Sequence, residues 1–321
     1  MSKPKIGMYW CSSCGGCEES IIDLAEDILK VVEAVDIVFW PVAMDFKYAD
    51  VEKMADAEMA VVLINGAVRT SEQEHLAKLL RKKAKLVVAH GTCAISGGVV
   101  GLANFSAKQD VLDTVYKKIP SMANLKGILP QEKTPEFGRT LELPKFYHTV
   151  KPLNQVIDVD YYLPGCPTTP DWILKAVLSI LEGKLPPKGT VFADTRALCD
   201  TCSRRDTKPE KLKLKAFKRV SEVLIDENKC FLEQGIICAG PATRGGCESR
   251  CIKGNMPCRG CFGPLDNVMD HGAKLIAMVG AMIDADDEGE IRKVLDTIPD
   301  PAGLFYRYSL ASSLLTGKKD S

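Results

Sequence analysis

Apolar and polar positions along the first 190 residues switch between two periods. KIGMYW (5–10) is a short apolar run of strand length. Over 20–35, SIIDLAEDILKVVEAV, the residues Ile21, Leu24, Ile28, Val31 and Val32 recur at helical spacing and predict one helix. DIVFWPV (36–42), MAVVLING (59–66), KLVVAHG (85–91) and VDYYLPG (159–165) are β-rich runs that predict strands. SEQEHLAKLLRKKA (71–84) opens with Ser71 and carries Glu74 three residues on, the signal of a capping box. A Lys-bearing helix is predicted over 108–118, and 120–155 is irregular and rich in proline. TTPDWILKAVLSILEG (168–183) predicts a helix with Thr169 ahead of Pro170 in its first turn and Gly183 at its end.

Strand–helix alternation of this kind folds as a parallel sheet with helices on both faces. The expectation is an α/β chain with a flavodoxin-like domain over 1–185. In such sheets ligands collect beyond the carboxyl ends of the strands, at a topological switch point. The sequence changes character near residue 184, where LPPKG (185–189) reads as a boundary. Beyond it come glycine- and proline-rich stretches such as GPATRGG and KGNMPCRGCFGP. These predict a smaller, irregular domain over 186–285 without a large conventional core, held by inorganic staples instead. A helix at 266–283 would cover it, and a tail over 286–321 would contact a partner.

Charge narrows the function. The 321 residues carry 42 Lys plus Arg against 42 Asp plus Glu, a net charge of zero. A general nucleic-acid binder needs excess positive charge for the phosphates, so that class is disfavoured. The start, MSKPKIGMYW, lacks the apolar stretch of a signal peptide, and no run of 18 apolar residues occurs. A cytoplasmic protein without membrane insertion is expected.

Cysteine changes the picture most. Thirteen occur, at 11, 14, 17, 93, 166, 199, 202, 230, 238, 247, 251, 258 and 261. A disulfide framework suits a short secreted chain; clustered cysteines in a long chain of this type point to metal. Cys-x-x-Cys occurs at 11/14, 14/17, 199/202 and 258/261, a spacing that serves both zinc and iron–sulfur sites. The wider pattern discriminates. Cys11, Cys14 and Cys17 follow the first predicted strand, Cys93 follows KLVVAHG, and Cys166 follows VDYYLPG. A flavodoxin-like strand order brings these to one sheet edge, with the choice between Cys11 and Cys14 left open. So wide a gathering suits a bulky cubane better than one small tetrahedral ion. Prolines beside the cysteines, as in GCP (165–167) and MPC (256–258), hold such loops rigid.

The motifs CGGCEES (14–20), GTCAISGG (91–98) and PGCP (164–167) make the chain resemble the small subunit of a nickel–iron hydrogenase over nearly its whole length. The resemblance implies that Cys14, Cys17, Cys93 and Cys166 hold a proximal 4Fe–4S cluster, leaving Cys11 spare. It implies a distal cluster on Cys199, Cys202, Cys230 and Cys238. There LCDTC puts Cys199 where the family commonly has histidine, which lowers the expected potential. It implies a medial cluster on Cys247, Cys251, Cys258 and Cys261. Many relatives have proline at the position of Cys251 and hold a 3Fe–4S cluster; the fourth cysteine here implies a full 4Fe–4S cluster. The all-cysteine pattern and the tail IPDPAGLFYRYSLASSLL (298–315) resemble the cytoplasmic methyl-viologen-reducing hydrogenase of methanogens. That resemblance implies a large-subunit partner bearing the nickel–iron centre, and no catalytic residue in this chain. Electrons from hydrogen oxidation would pass through three clusters to a downstream iron–sulfur or flavin subunit of a heterodisulfide reductase complex. The alternatives are a coenzyme-F- or NAD(P)-linked cytoplasmic hydrogenase, a related respiratory-complex subunit, a flavodoxin-like flavoprotein and a zinc-stapled interaction protein.

The remaining candidates have simpler readings. Cys11 reads as an inert buried thiol. Glu18 and Glu19 either move protons or favour a helix dipole. Trp10, Trp40 and Trp172 read as packing residues, and His75, His90, His148 and His271 as structural. Gly97, Gly98 and Gly101 read as permitting close backbone approach. The basic run Lys208–Arg219 reads as a solvated face or as a docking site for an acidic partner.

Overall fold

A computed structural model describes residues 3–315. In chain order its strands are β1 (Lys5–Trp10), β2 (Asp36–Phe39), β3 (Met59–Asn65), β4 (Val68–Thr70), β5 (Ala84–His90), β6 (Lys133–Glu136), β7 (Arg139–Glu142), β8 (Phe146–Lys151) and β9 (Tyr161–Leu163). Five of them form a parallel sheet in the order β2-β1-β3-β5-β9. Counting only these strands the order is the expected flavodoxin-like one, with the switch point between β1 and β3.

Helices cover both faces, so the central strands are buried on both sides and read as continuous apolar runs. The two-residue period still sorts their side chains. Val62 and Ile64 of β3 join Val87 and Ala89 of β5 in one core, with α3 (Tyr48–Lys53) and α4 (Ser71–Lys83) above them. Val61, Leu63 and Val88 face the opposite core, under α1 (Gly16–Ile22), α2 (Asp27–Ala34) and α7 (Pro170–Leu181).

Three predicted elements differ. The single helix over 20–35 is broken into α1 and α2 by a turn with Ala25 at φ +50°. The turn tucks Leu24 inward beside Ile21 and Val31, which a straight helix need not do. The cap of α4 lies one residue earlier than expected: Gln73 N donates to Thr70 Oγ1 at 3.3 Å, and Thr70 N donates to Gln73 Oε1 at 3.1 Å. The stretch 120–155 is not irregular throughout. It holds the β6–β7 hairpin, and β8 pairs antiparallel with β4. Upstream, α6 (Lys108–Asp113) continues into one wider turn through Lys118.

The boundary segment runs along the sheet edge. Tyr162 N donates to Thr190 O at 3.1 Å and Phe192 N to Tyr162 O at 2.8 Å. Beyond it regular structure is sparse: α8 (Arg250–Lys253), α9 (His271–Gly280), α10 (Glu288–Leu295) and α11 (Pro301–Phe305). Helix α9 starts at 271 rather than 266 because Asp270 caps it, accepting from Ala273 N at 2.9 Å.

The second region does bury a core of its own, contrary to the expectation that staples would replace one. Phe217, Phe231, Leu232, Ile236 and Ile252 pack with Leu275 and Val279 of α9, Val294 of α10 and Phe305 of α11. The cysteine-rich stretch supplies too few apolar residues alone; the three later helices supply the rest. The chain beyond 286 therefore packs into this region through Val294, Ile298, Phe305, Tyr306 and Leu310.

Candidate metal centres

The end of β1 leads into the first loop. Cys14 and Cys17 lie there, Cys93 lies in α5 (Gly91–Ser96) after β5, and Cys166 follows β9. All four come from the carboxyl edge of the sheet, and their thiols are electrostatic neighbours. Burial first, then the charge of Cys93, pushes Cys17 up to about 12. Burial, then Cys166 and Cys14, pushes Cys93 up to about 12. Cys166 is raised by burial and then by Cys14.

The backbone of Thr168 lowers Cys17 and the backbone of Val99 and Val100 lowers Cys93, against the effect of burial, and Gly16 N donates to Cys14 Sγ at 3.5 Å. Two glycines make room. A Cβ on Gly91, at φ +82°, would sit 2.2 Å from Cys17 Sγ; one on Gly98, at φ +56°, would sit 2.4 Å from Cys93 Sγ. Cys14 and Cys166 are exposed while Cys17 is buried, so the group opens on one side.

Cys11 stands apart. It is buried in the core under β3, and its raised pKa comes from burial, with no other cysteine contributing. Glu18 turns inward, with its carboxylate held by Trp40 Nε1 and Asn65 Nδ2. Burial raises its pKa, against those two hydrogen bonds. Glu19 is exposed. The sequence alone did not distinguish these neighbours; the inward face of α1 does.

The second region assembles two more groups. Cys199 is pushed up to about 12 by burial and then by Cys238, Cys202 and Cys230, with Lys208 opposing. A cavity of about 360 Å³ is lined by these four cysteines. Cys258 is raised by burial, then by Cys238 of the neighbouring group, and then by Cys261 and Cys247; Cys261 reaches about 12 through burial, then Cys247, Cys166 and Cys251. Among the described residues no group of three or more His, Cys, Asp or Glu is set to hold one metal ion. All thirteen cysteines are free thiols.

Neighbouring groups touch through the backbone. Cys166 is an electrostatic neighbour of Cys261. Cys258 N–H donates to Cys238 Sγ at 3.3 Å. Thr92, which carries no motif signal in the sequence, sits at the first junction. Its hydroxyl lies 2.7 Å from Gly165 O and 2.6 Å from Cys261 O.

The histidines are no part of these groups. His90 is buried, and burial lowers its pKa to about 4; His271 is also lowered to about 4 and lies 3.3 Å from Thr243 Oγ1. Trp40 is buried, Trp10 is partly exposed, and Trp172 reaches from α7 into the second region, donating to Gly246 O at 2.7 Å.

A family profile described as NADH ubiquinone oxidoreductase, 20 Kd subunit, matches residues 14–180. The iron-sulfur subunit of an F420-non-reducing hydrogenase from Archaeoglobus profundus is 38% identical over 317 residues, which is 98% of each chain. This chain belongs to the nickel–iron hydrogenase small-subunit family. A second member, a subunit of the F420-non-reducing hydrogenase of Methanothermobacter thermautotrophicus, is 37% identical over 98% of this chain and 97% of its own. The small-subunit fold extends to a solved [NiFeSe] hydrogenase chain from Desulfovibrio vulgaris Hildenborough, at a TM-score of 0.53 and 18% identity. That match covers 83% of this chain and 95% of the other. Among the described residues of this small subunit no helix is long and apolar enough to cross a membrane.

Proposed function

We propose that this small subunit carries three 4Fe–4S clusters and relays electrons between a hydrogen-splitting large subunit and a downstream acceptor. Cys14, Cys17, Cys93 and Cys166 hold the proximal cluster. Cys247, Cys251, Cys258 and Cys261 hold the medial one, and Cys199, Cys202, Cys230 and Cys238 the distal one. The observation that carries the reading is the succession of three four-thiol groups whose junctions are in contact, through Thr92 between Gly165 O and Cys261 O and through Cys258 N–H on Cys238 Sγ.

The donor set fits the group. Thiolates are the ligands of such clusters, and the cleared space at Gly91 and Gly98 keeps side-chain bulk off the sulfurs. When bound, the clusters supply one-electron storage. The chain's own residues fix the sulfurs, aim N–H groups at them and exclude water from Cys17, Cys238 and Cys258, all buried. The open side at Cys14 and Cys166 faces the large subunit, which carries the nickel–iron centre. The downstream partner is an iron–sulfur or flavin subunit of a heterodisulfide reductase complex, and the assembly is cytoplasmic.

The test is iron, sulfide, zinc and nickel per copy of this chain, purified anaerobically with its co-purifying subunits. About 12 iron and 12 sulfide, from three cubanes, with nickel present only when the large subunit is, supports the relay. About three zinc and no sulfide, the expectation for three tetrathiolate sites, overturns it.

A further inference from the structure

The distal cavity contains a feature that its cysteines do not explain. Arg204, two residues beyond Cys202, is only 6% exposed and lines the cavity with Cys199, Cys202, Cys230 and Cys238. Its guanidinium lies 4.5 Å over the Phe231 ring. Nη2 donates to Asn255 Oδ1 at 2.9 Å and to Ile252 O at 3.3 Å, while Nη1 is buried without any hydrogen-bond partner. No ion pair of Arg204 occurs among the described residues. An orphaned buried donor is destabilising, and more so when charged. A buried, unpaired cation is expected where something anionic shares the site.

The other charges around the cavity nearly cancel. Arg205 lies 3.4 Å from Asp200, and the cavity wall also carries one further cation and one further anion, Lys208, which opposes the upward shift of Cys199, and Glu210. Arg204 is left as the surplus positive charge, and the most buried one.

We infer that Arg204 is a positioning residue for the distal cluster, its guanidinium charge in the cavity wall raising the cluster's reduction potential. The inference rests on the relay reading. Four thiolates on a 4Fe–4S core make a doubly negative unit, and one electron from the hydrogen-fed large subunit makes it triply negative. A fixed positive charge in a low-dielectric wall favours the reduced form more than the oxidised form. Cys199, an extra thiolate, pulls the potential the other way. Arg204 offsets that charge, so that the last group of the relay still accepts electrons from the medial one.

The experiment is a redox titration of the complete, anaerobically purified complex, followed by electron paramagnetic resonance, with iron and sulfide counted on each sample. In Arg204→Gln the metal content holds, one of the reduction waves moves to lower potential and the others stay. The expected shift is tenfold or more in the reduction equilibrium, about 59 mV for one electron. Arg204→Lys, which keeps the charge, stays closer to wild type. Unchanged waves in Arg204→Gln with full metal content overturn the inference. Loss of four iron from both variants also overturns it, because Arg204 would then only anchor α8 through Ile252 and Asn255. If the Gln variant alone loses four iron, a near-wild-type potential in the Lys variant sustains the charge argument and a lowered one overturns it. Wild-type complex without iron and sulfide fails the relay reading itself, a separate result.

Discussion

The two regions of this chain bury comparable apolar cores and satisfy their backbones in different ways. In the first, β3 and β5 pair along their length, and nearly every residue of MAVVLIN lies inside. In the second, pairing is reduced to single bridges such as Leu214 with Ile283 and Lys218 with Ile236. Turns and thiol acceptors take over, as when Cys258 N–H donates to Cys238 Sγ. A ladder is complete without any ligand. Loops that point N–H groups at sulfur are complete only with what the sulfurs hold.

Removing the metal should therefore break the comparison most strongly. Anaerobic chelation is expected to raise proteolytic cleavage between 199 and 261 by about tenfold or more, because ligand binding here is folding energy. The sheet region should keep its protection; equal loss in both regions contradicts the distinction. The converse perturbation is Leu80→Ala, at a fully buried site on the inner face of α4. It should cost about 2–5 kcal/mol in the first region, with the distal and medial iron retained, as denaturation and metal analysis would show.

Acid should strike both regions. His90 and His271 are each held neutral with a pKa near 4, against 6.5 for the free side chain. A base with a depressed folded pKa gives its full stability above about pH 6.5 and loses it as pH falls toward 4. Each contributes on the order of 3 kcal/mol across that window. His271→Gln should flatten the acid side of the stability curve, and an unchanged slope would remove His271 from this account. The smallest effect is expected from Cys11→Ala, about 1 kcal/mol, with iron and sulfide unchanged. Loss of four iron would make Cys11 a ligand and undo the separation drawn between it and Cys14.

Much of the sheet region was legible because its signals are local. Periodicity located β1, β3, β5 and β9, and their carboxyl ends carried Cys14, Cys17, Cys93 and Cys166 to one edge. The break at Ala25 and the pairing of β4 with β8 were not legible, since both depend on packing between distant segments. In the second region the cysteine spacing marked the groups, but not the core around Phe231, which forms only when α9, α10 and α11 return to it. Arg204 was hidden for the same reason. The SRR after Cys202 carried no sequence signal, and only Phe231 and Asn255, far along the chain, mark Arg204 out by closing over it.

The contact between Ser96 and Tyr308 has a consequence for biosynthesis. The Ser96 hydroxyl donates to Tyr308 O at 2.6 Å across 212 positions of sequence, and the Ala311 methyl lies against Gly97. The loop bearing Cys93 thus stays uncovered while most of the polypeptide is being made. The arrival of Tyr308 and Ala311 then seals it like a stopper.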